Sequence, residues 1–356
     1  MRTHLIVALA LLCALHTGGV AYGQKTKQKQ RPATAVNRLA NDTRVFKIDP
    51  TIDVQGVRFK NRFGTELAGH LYLPKGYDGA KRYPAVAICG PFGAVKEQAS
   101  GLYAQELATR GFVALAFDPS FTGESGGETR SVAAPDINTE DFGAAVDYLT
   151  RLRNVDGARI ALMGIGGWGC MAITEASIDT RVKATVVCSM YDMGSLFADG
   201  YFNAKNADGR YEELRRLSTQ RTRDAQIDSH EVSAGELERV SPDAPRYLRD
   251  LQAYFKSGRG YHKRSISSNG GWTKTTPLSF IATPLCTRAG EIRSAVLVVH
   301  GEKAHTRPMG EALFGRLNGT NKELYLVPDA THVDLFDNMK RIPFDTIERF
   351  LKEYLK

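Results

Sequence analysis

A mostly parallel β-sheet flanked by helices, opened by an antiparallel hairpin and interrupted late by a helical insertion, is the fold class the sequence predicts. Three observations predict it. Val54 to Lys60 and Glu66 to Leu73 are β-rich runs on either side of Asn61-Arg62-Phe63-Gly64, the punctuation of a hairpin. From Pro84 onward, short apolar runs (Ala85 to Cys89, Phe112 to Phe117, Ile160 to Met163, Val182 to Cys188) alternate with helical stretches such as Lys96 to Arg110 and Glu140 to Leu152. That alternation is the pattern of βαβ units. After Asp192 roughly a hundred residues pass without a strand-like run, and a connection so long must hold structure of its own.

The elements after that break follow in order. Gly194 to Ile292 reads as an inserted helical cap, with helical spacing in Glu212-Glu213-Leu214-Arg215-Arg216-Leu217 and in Pro245 to Phe255. Ser257 to Thr276, rich in Gly, Ser, Asn and Lys, reads as a loop. The sheet resumes with Ala295 to Val299 and Glu323 to Val327, and Pro343 to Leu355 closes the chain as an amphipathic helix.

The chain has 356 residues, of which 42% are hydrophobic and 24% charged, a globular balance that excludes disorder and fibrous repeats. Its N-terminus reads as an address. Met1-Arg2-Thr3-His4 is a short basic start, Leu5 to Leu15 is an apolar run too short to span a bilayer, and Ala21-Tyr22-Gly23 offers the small side chains a signal peptidase needs. Export with cleavage near Gly23, to a periplasmic or secreted location, is therefore expected, followed by a polar linker over 24–50 and one domain over 51–356. Cys13 lacks the small residue a lipoprotein signal places before its cysteine, so no lipid anchor or stable membrane insertion is expected. The formal net charge is +8, but Arg2, Lys25, Lys27 and Lys29 belong to the leader and linker, and no basic cluster interleaved with aromatics follows them. Nucleic acid is not an expected partner. Cys89, Cys170, Cys188 and Cys286 match no metal spacing and read as core thiols; no metal or cofactor is expected.

The chemistry concentrates in Arg159-Ile160-Ala161-Leu162-Met163-Gly164-Ile165-Gly166-Gly167-Trp168-Gly169, an apolar strand entering a glycine-rich turn and then a helix from Cys170 to Ser177. This is the setting of a nucleophile elbow, where small neighbours let strand and helix approach while the central side chain projects into a pocket. The central position is Gly166, which has no side chain to attack with. Further segments carry a family resemblance: Gly90-Pro91-Phe92-Gly93-Ala94-Val95-Lys96-Glu97-Gln98, Ala116-Phe117-Asp118 leading to Gly123-Glu124-Ser125-Gly126-Gly127-Glu128, Gly301-Glu302-Lys303-Ala304-His305, and Thr331-His332-Val333-Asp334-Leu335. On these the chain resembles an α/β-hydrolase of the dienelactone-hydrolase-like, YcjY-like branch from about Val54 to its C-terminus. The resemblance implies a small-molecule acyl substrate or ligand and hydrolysis of carboxylic ester, lactone or related acyl bonds. It also implies a Cys or Ser where this chain has Gly166, and often a His where it has Gly90.

In such a fold the triad runs nucleophile, acid, histidine along the chain. His332 is the histidine between the last strand and the final helix. The Asp of the common H-G-x-x-D loop is replaced by Ala304, so Glu302 is the first candidate acid, as the resemblance also suggests, and Asp192 after Cys188 is the alternative. His300 reads as the end of a buried strand, His305 as part of the pocket rim, and Asp334 as a cap. The backbone N–H groups of Gly167 and Phe92 are the candidate oxyanion donors, since Pro91 has none to give. Glu124, Ser125 and Arg130 either line the pocket or stabilise a turn. Cys170 lies one helical turn past the elbow and Cys89, Ser125 and Ser189 lie off it, so none reads as a replacement nucleophile. Two functions follow: a hydrolase with a residual mechanism in which His332 activates water, or a silent member that binds a small ligand under its cap.

Overall fold

The computed structural model describes Leu39 and residues 41–356; the expected leader and cleavage site lie outside the described residues. Eight strands form one sheet in the order β1-β2-β4-β3-β5-β6-β7-β8: β1 (Val54–Lys60), β2 (Glu66–Tyr72), β3 (Tyr83–Cys89), β4 (Val113–Phe117), β5 (Val155–Ile165), β6 (Val182–Cys188), β7 (Ala295–Gly301) and β8 (Lys322–Val327). β1 and β2 pair antiparallel, β2 meets β4 antiparallel, and every pair from β4 to β8 is parallel. The fold class expected from the alternating runs is the one observed.

Around the sheet lie α1 (Ala99–Thr109), α2 (Pro135–Thr150), α3 (Trp168–Ala176), α8 (Arg307–Arg316), the single turn α9 (Asp334–Asp337) and α10 (Phe344–Tyr354). Between β6 and β7 the chain inserts α4 (Met193–Asp199), α5 (Ala207–Gln226), α6 (Arg246–Phe255) and α7 (Thr276–Ala282). The cap thus falls where the strand pattern broke. Ser257 to Thr276 is mainly irregular, with one 3₁₀ turn at Ile266–Asn269.

Strand periodicity divides the core between the two sheet faces. Val86, Ile88, Ala161, Met163 and Ile165 pack with α1 and α10, whereas Ala85, Ala87, Ile160 and Leu162 pack with α2 and α3. Both faces are covered, which is why the parallel strands read as continuous apolar runs. The 41–50 stretch, grouped with the linker by its polarity, instead packs on the domain. Phe46 lies against the first of these cores, the side chain of Arg44 is 5% exposed, and Val45 N–H donates to Glu97 O at 3.0 Å. One aromatic and one stacked guanidinium suffice to dock a short strap, and neither shows as a periodic pattern.

Candidate active site

β5 ends in a sharp turn into α3. Gly166 stands at its apex with φ +59°, the left-handed region, and its N–H donates to Cys188 O at 3.0 Å while its carbonyl accepts from Tyr191 N–H at 3.2 Å. Close approach of strand and helix requires the flanking glycine: a Cβ on Gly164 would lie 2.6 Å from Gly169 Cα. A Cβ on Gly166 itself would fit, with Pro91 Cβ at 3.3 Å and Phe92 N at 3.6 Å as its nearest neighbours. A Cβ here would thus meet no backbone clash and would lie near the Phe92 amide, at the cost of a left-handed φ.

The loop opposite is held by its own constraint. Gly90 has φ +118°, and a Cβ there would lie 2.1 Å from Ile165 O. No side chain fits this backbone, so the histidine that the resemblance places at position 90 is not accommodated. Gly90→Ala should cost about 3 kcal/mol through overpacking and backbone strain, read as a lower thermal midpoint. Among the described residues neither Phe92 N–H nor Gly167 N–H has an acceptor in the protein. Both amides flank the same cavity.

That cavity has a volume of 530 Å³ and lies between the elbow and the cap. Gly166, Gly167, Phe92 and His332 form its inner end; Leu248 and Leu251 of α6 are among its cap-side walls. Phe92 anchors the aromatic side, stacked on Trp272 at 4.4 Å and tilted against Trp168 at 5.4 Å.

His332 is 2% exposed. Its Nδ1 lies 2.8 Å from Thr306 Oγ1, and its Nε2 has no partner in the protein. Burial, with His305 and His300 beside it, holds its pKa well below the usual histidine range, so the ring is neutral. Neither candidate acid reaches it, which corrects the expected triad. Glu302 is exposed and its Oε2 accepts from Asp329 N–H at 3.0 Å. Asp192 caps α4 through Ser195 N–H at 3.2 Å and pairs with Arg316 at 3.3 Å. Both carboxylates are engaged by other partners, and the Thr306 hydroxyl is what meets His332 Nδ1. Sequence reading missed Thr306 because it follows the expected position by two residues and reads as a helix-capping threonine ahead of Pro308.

The remaining candidates sort plainly. His305 sits behind Tyr191, whose hydroxyl lies 2.8 Å from its Nε2, and stacks on Tyr247 of the cap at 4.4 Å. His300 is buried in β7 with both ring nitrogens unpartnered. Asp334 accepts from Thr331 N–H and Oγ1 and so ties the start of α9 to the loop before it, without capping a helical N–H. Ser125 Oγ donates to Asp118 O and Arg130 holds the carbonyls of Gly123 and Ser125, both turn-holding contacts, whereas Ser189 Oγ donates to His332 O and ties the loop after β6 to the loop that carries His332. Glu124 pairs with Lys96 at 2.7 Å. The four cysteines of the described residues are free and buried, and Cys170 Sγ contacts Gly167 O within the α3 backbone turn. Burial pushes the Cys170 thiol well above its usual range, which leaves it inert.

Residues 64–330 match the family described as X-Pro dipeptidyl-peptidase (S15 family), an α/β-hydrolase-type family. The chain belongs to that S15 family. This S15 chain is also 46% identical over 320 residues to the uncharacterized protein PA2218 of Pseudomonas aeruginosa, covering 88% of this chain and 84% of the relative. It is 34% identical to the uncharacterized protein YcjY of Escherichia coli, over 76% of this chain and 88% of that one. The crystal structure of PA2218 superimposes with a TM-score of 0.84 over 92% of this chain and 99% of its own. The α/β hydrolase GrgF from a Penicillium species shares the fold, with a TM-score of 0.69 at 18% identity over 85% of this chain and 99% of its own. The S15 chain therefore has the α/β-hydrolase fold and sits in a hydrolase family.

Buried histidines also set how the S15 chain responds to acid. Burial lowers His70 and His300 to about 3 and His262 and His305 to about 4, and also holds His332 well below the usual histidine range. Their unfolded values are near 6.5, so below that pH the unfolded chain binds more protons and stability is lost as pH falls toward the folded values. Glu175, raised to about 8 by burial, Asp141, raised to about 6, and Glu97, also raised, act in the opposite direction. The lowered histidines outnumber these raised carboxyls, and carboxyls held below their usual range, among them Glu124 and Asp334, add to the loss as pH falls further, so the net effect below pH 6 is a loss of stability. Thermal midpoints measured from pH 7.5 to 4.5 should fall accordingly; a flat profile would contradict the buried neutral histidines.

Proposed function

We propose that the protein binds small acyl compounds beneath its cap, and that Gly166 occupies the nucleophile's place in a hydrolase site, so that turnover proceeds only slowly, by water. The observation that carries this reading is His332 Nε2: a buried ring nitrogen without a partner, lining a cavity beside two free backbone amides. A buried polar atom left unpaired costs free energy, and a ligand or solvent molecule in the cavity is what relieves it.

In this reading the acyl oxygen accepts from Phe92 and Gly167 N–H, the pair that stabilises an oxyanion as the carbonyl carbon is attacked. With Nδ1–H donating to Thr306, the Nε2 lone pair faces the cavity and takes a proton from water as the water oxygen bonds to the carbonyl carbon; the proton then passes to the leaving oxygen. No carboxylate steadies the imidazolium, and no side chain at Gly166 forms an acyl-enzyme. The two losses leave binding and the oxyanion donors as the main catalytic contribution. The leader features of the sequence support an exported location for this activity.

Two measurements on the full chain test the reading: thermal stabilisation by 4-nitroacetophenone, an unreactive carbonyl probe, and p-nitrophenyl acetate hydrolysis. Stabilisation is expected together with a slow hydrolysis that His332→Ala lowers. A fast parent rate unchanged by His332→Ala would overturn it.

A further inference from the structure

Lys96 is 1% exposed, and its ammonium meets three carboxylates: Glu97 at 2.9 Å, Asp118 at 3.0 Å and Glu124 at 2.7 Å. Asp118 in turn accepts from Lys96 N–H at 2.7 Å and Glu124 N–H at 2.8 Å, so the cluster fixes the backbone of two loops. Three carboxylates against one cation is an imbalance that a buried cluster cannot carry unaided. The second cation comes from the cap. Arg264 reaches Glu97 and lies 3.2 Å from Glu124.

The same stretch of cap lies directly on the loop that carries Phe92. Ser265 Oγ donates to Gly93 O at 3.0 Å, Gln98 Nε2 donates to Gly260 O, and a Cβ on Gly93 would lie 2.5 Å from Ser267 C and Ser268 N. Trp272, at the end of the stretch, stacks on the Phe92 ring. Between the buried lysine and the Phe92 amide there is thus one continuous set of contacts: Lys96 and Glu97 at one end of the loop, Arg264 across it, and Trp272 against Phe92 at the other.

We infer that Arg264 is a positioning residue, which holds the 260–272 stretch of the cap on the Gly90–Gln98 loop and so aims the Phe92 amide at the acyl oxygen. Without Arg264 the carboxylates exceed Lys96 by two charges, and the electrostatic gain from seating the cap stretch on the loop is lost. The Phe92 amide then samples orientations away from the cavity, and the site keeps its pocket while losing one of its two oxyanion donors. The inference rests on the proposed acyl site for its chemistry and on the structure alone for its mechanics.

The test uses the full chain and a built-in control. Arg259, the residue just before the stretch, ties its start to the body through Asp337, at 2.7 Å, with no hydrogen bond or ion pair to the Gly90–Gln98 loop. Amide hydrogen exchange of Arg264→Gln in the parent background should rise at least about tenfold in both 90–98 and 260–272, whereas Arg259→Gln should raise it in the cap stretch only. In a Gly166→Cys background, Arg264→Gln should slow acetylation by p-nitrophenyl acetate about 10- to 100-fold with little change in KM, and Arg264→Lys should restore part of the rate. Unchanged exchange in 90–98 would overturn the inference whatever the kinetics show. If exchange responds as expected but Gly166→Cys never acetylates, the proposed acyl site fails and the positioning contact stands. If acetylation occurs and Arg264→Gln leaves it unchanged, the positioning role fails and the acyl site stands.

Discussion

Gly166→Cys is expected to turn the protein into one that acetylates itself with p-nitrophenyl acetate, giving a burst at least about 100-fold faster than the parent's hydrolysis. The apex already has the backbone for it: φ is left-handed, the added Cβ meets nothing closer than 3.3 Å, and the Phe92 amide lies 3.6 Å from it. The strain of a non-glycine residue there is about 1–2 kcal/mol, visible as a modest fall in thermal midpoint. His332, neutral and open at Nε2, is the base available to take the thiol proton. Adding Thr306→Asp supplies a carboxylate at the position that meets Nδ1, raises the histidine's pKa and should add about 10- to 1,000-fold more, while His332→Ala removes the gain. Gly166→Ser should gain little until Thr306→Asp accompanies it, because a hydroxyl depends on its base far more than a thiol does. A folded Gly166→Cys chain with the parent's rate would refute the elbow reading.

Lys96→Met is expected to be among the most damaging single substitutions outside the apolar core. The change strips Glu97, Asp118 and Glu124 of their common partner, and Glu97 and Asp118 are almost fully buried. Breaking a buried ion cluster by removing one member costs about 3–5 kcal/mol, because the surviving charges are left desolvated. For a domain of this size that is a fall in thermal midpoint on the order of 10 °C. Lys303→Met is the matched control. Its pair with Asp329 is as short, 2.6 Å, but both side chains are more than half exposed, so the loss should be below about 1 kcal/mol. Equal effects from the two substitutions would show that burial does not decide the worth of the Lys96 cluster.

The two predictions probe different layers of one site. At the elbow, the first tests the proposed role of two amides and His332 around a position that has no side chain. Behind it, the charged cluster steadies the loop from which one of those amides projects.

Much of this was legible in the sequence for a simple reason. Buried parallel strands write themselves as unbroken apolar runs, so Ala85 to Cys89 and Val182 to Cys188 fall on β3 and β6 almost residue for residue, and a long gap between strands announces a cap. The strand, glycine turn and helix around Gly166 are likewise local, and local pattern locates His332 on the loop after the last strand. What the sequence could not decide is which side chains meet across that framework. Glu302 stands in the right loop, yet its carboxylate turns to the Asp329 amide while Thr306 reaches His332. Lys96 stands in the Gly90 to Gln98 segment beside Glu97, but nothing in that segment shows that Asp118, Glu124 and Arg264 gather around the pair. Such contacts depend on distances of a few ångströms between residues far apart in sequence, and neither periodicity nor composition carries that information; only packing does.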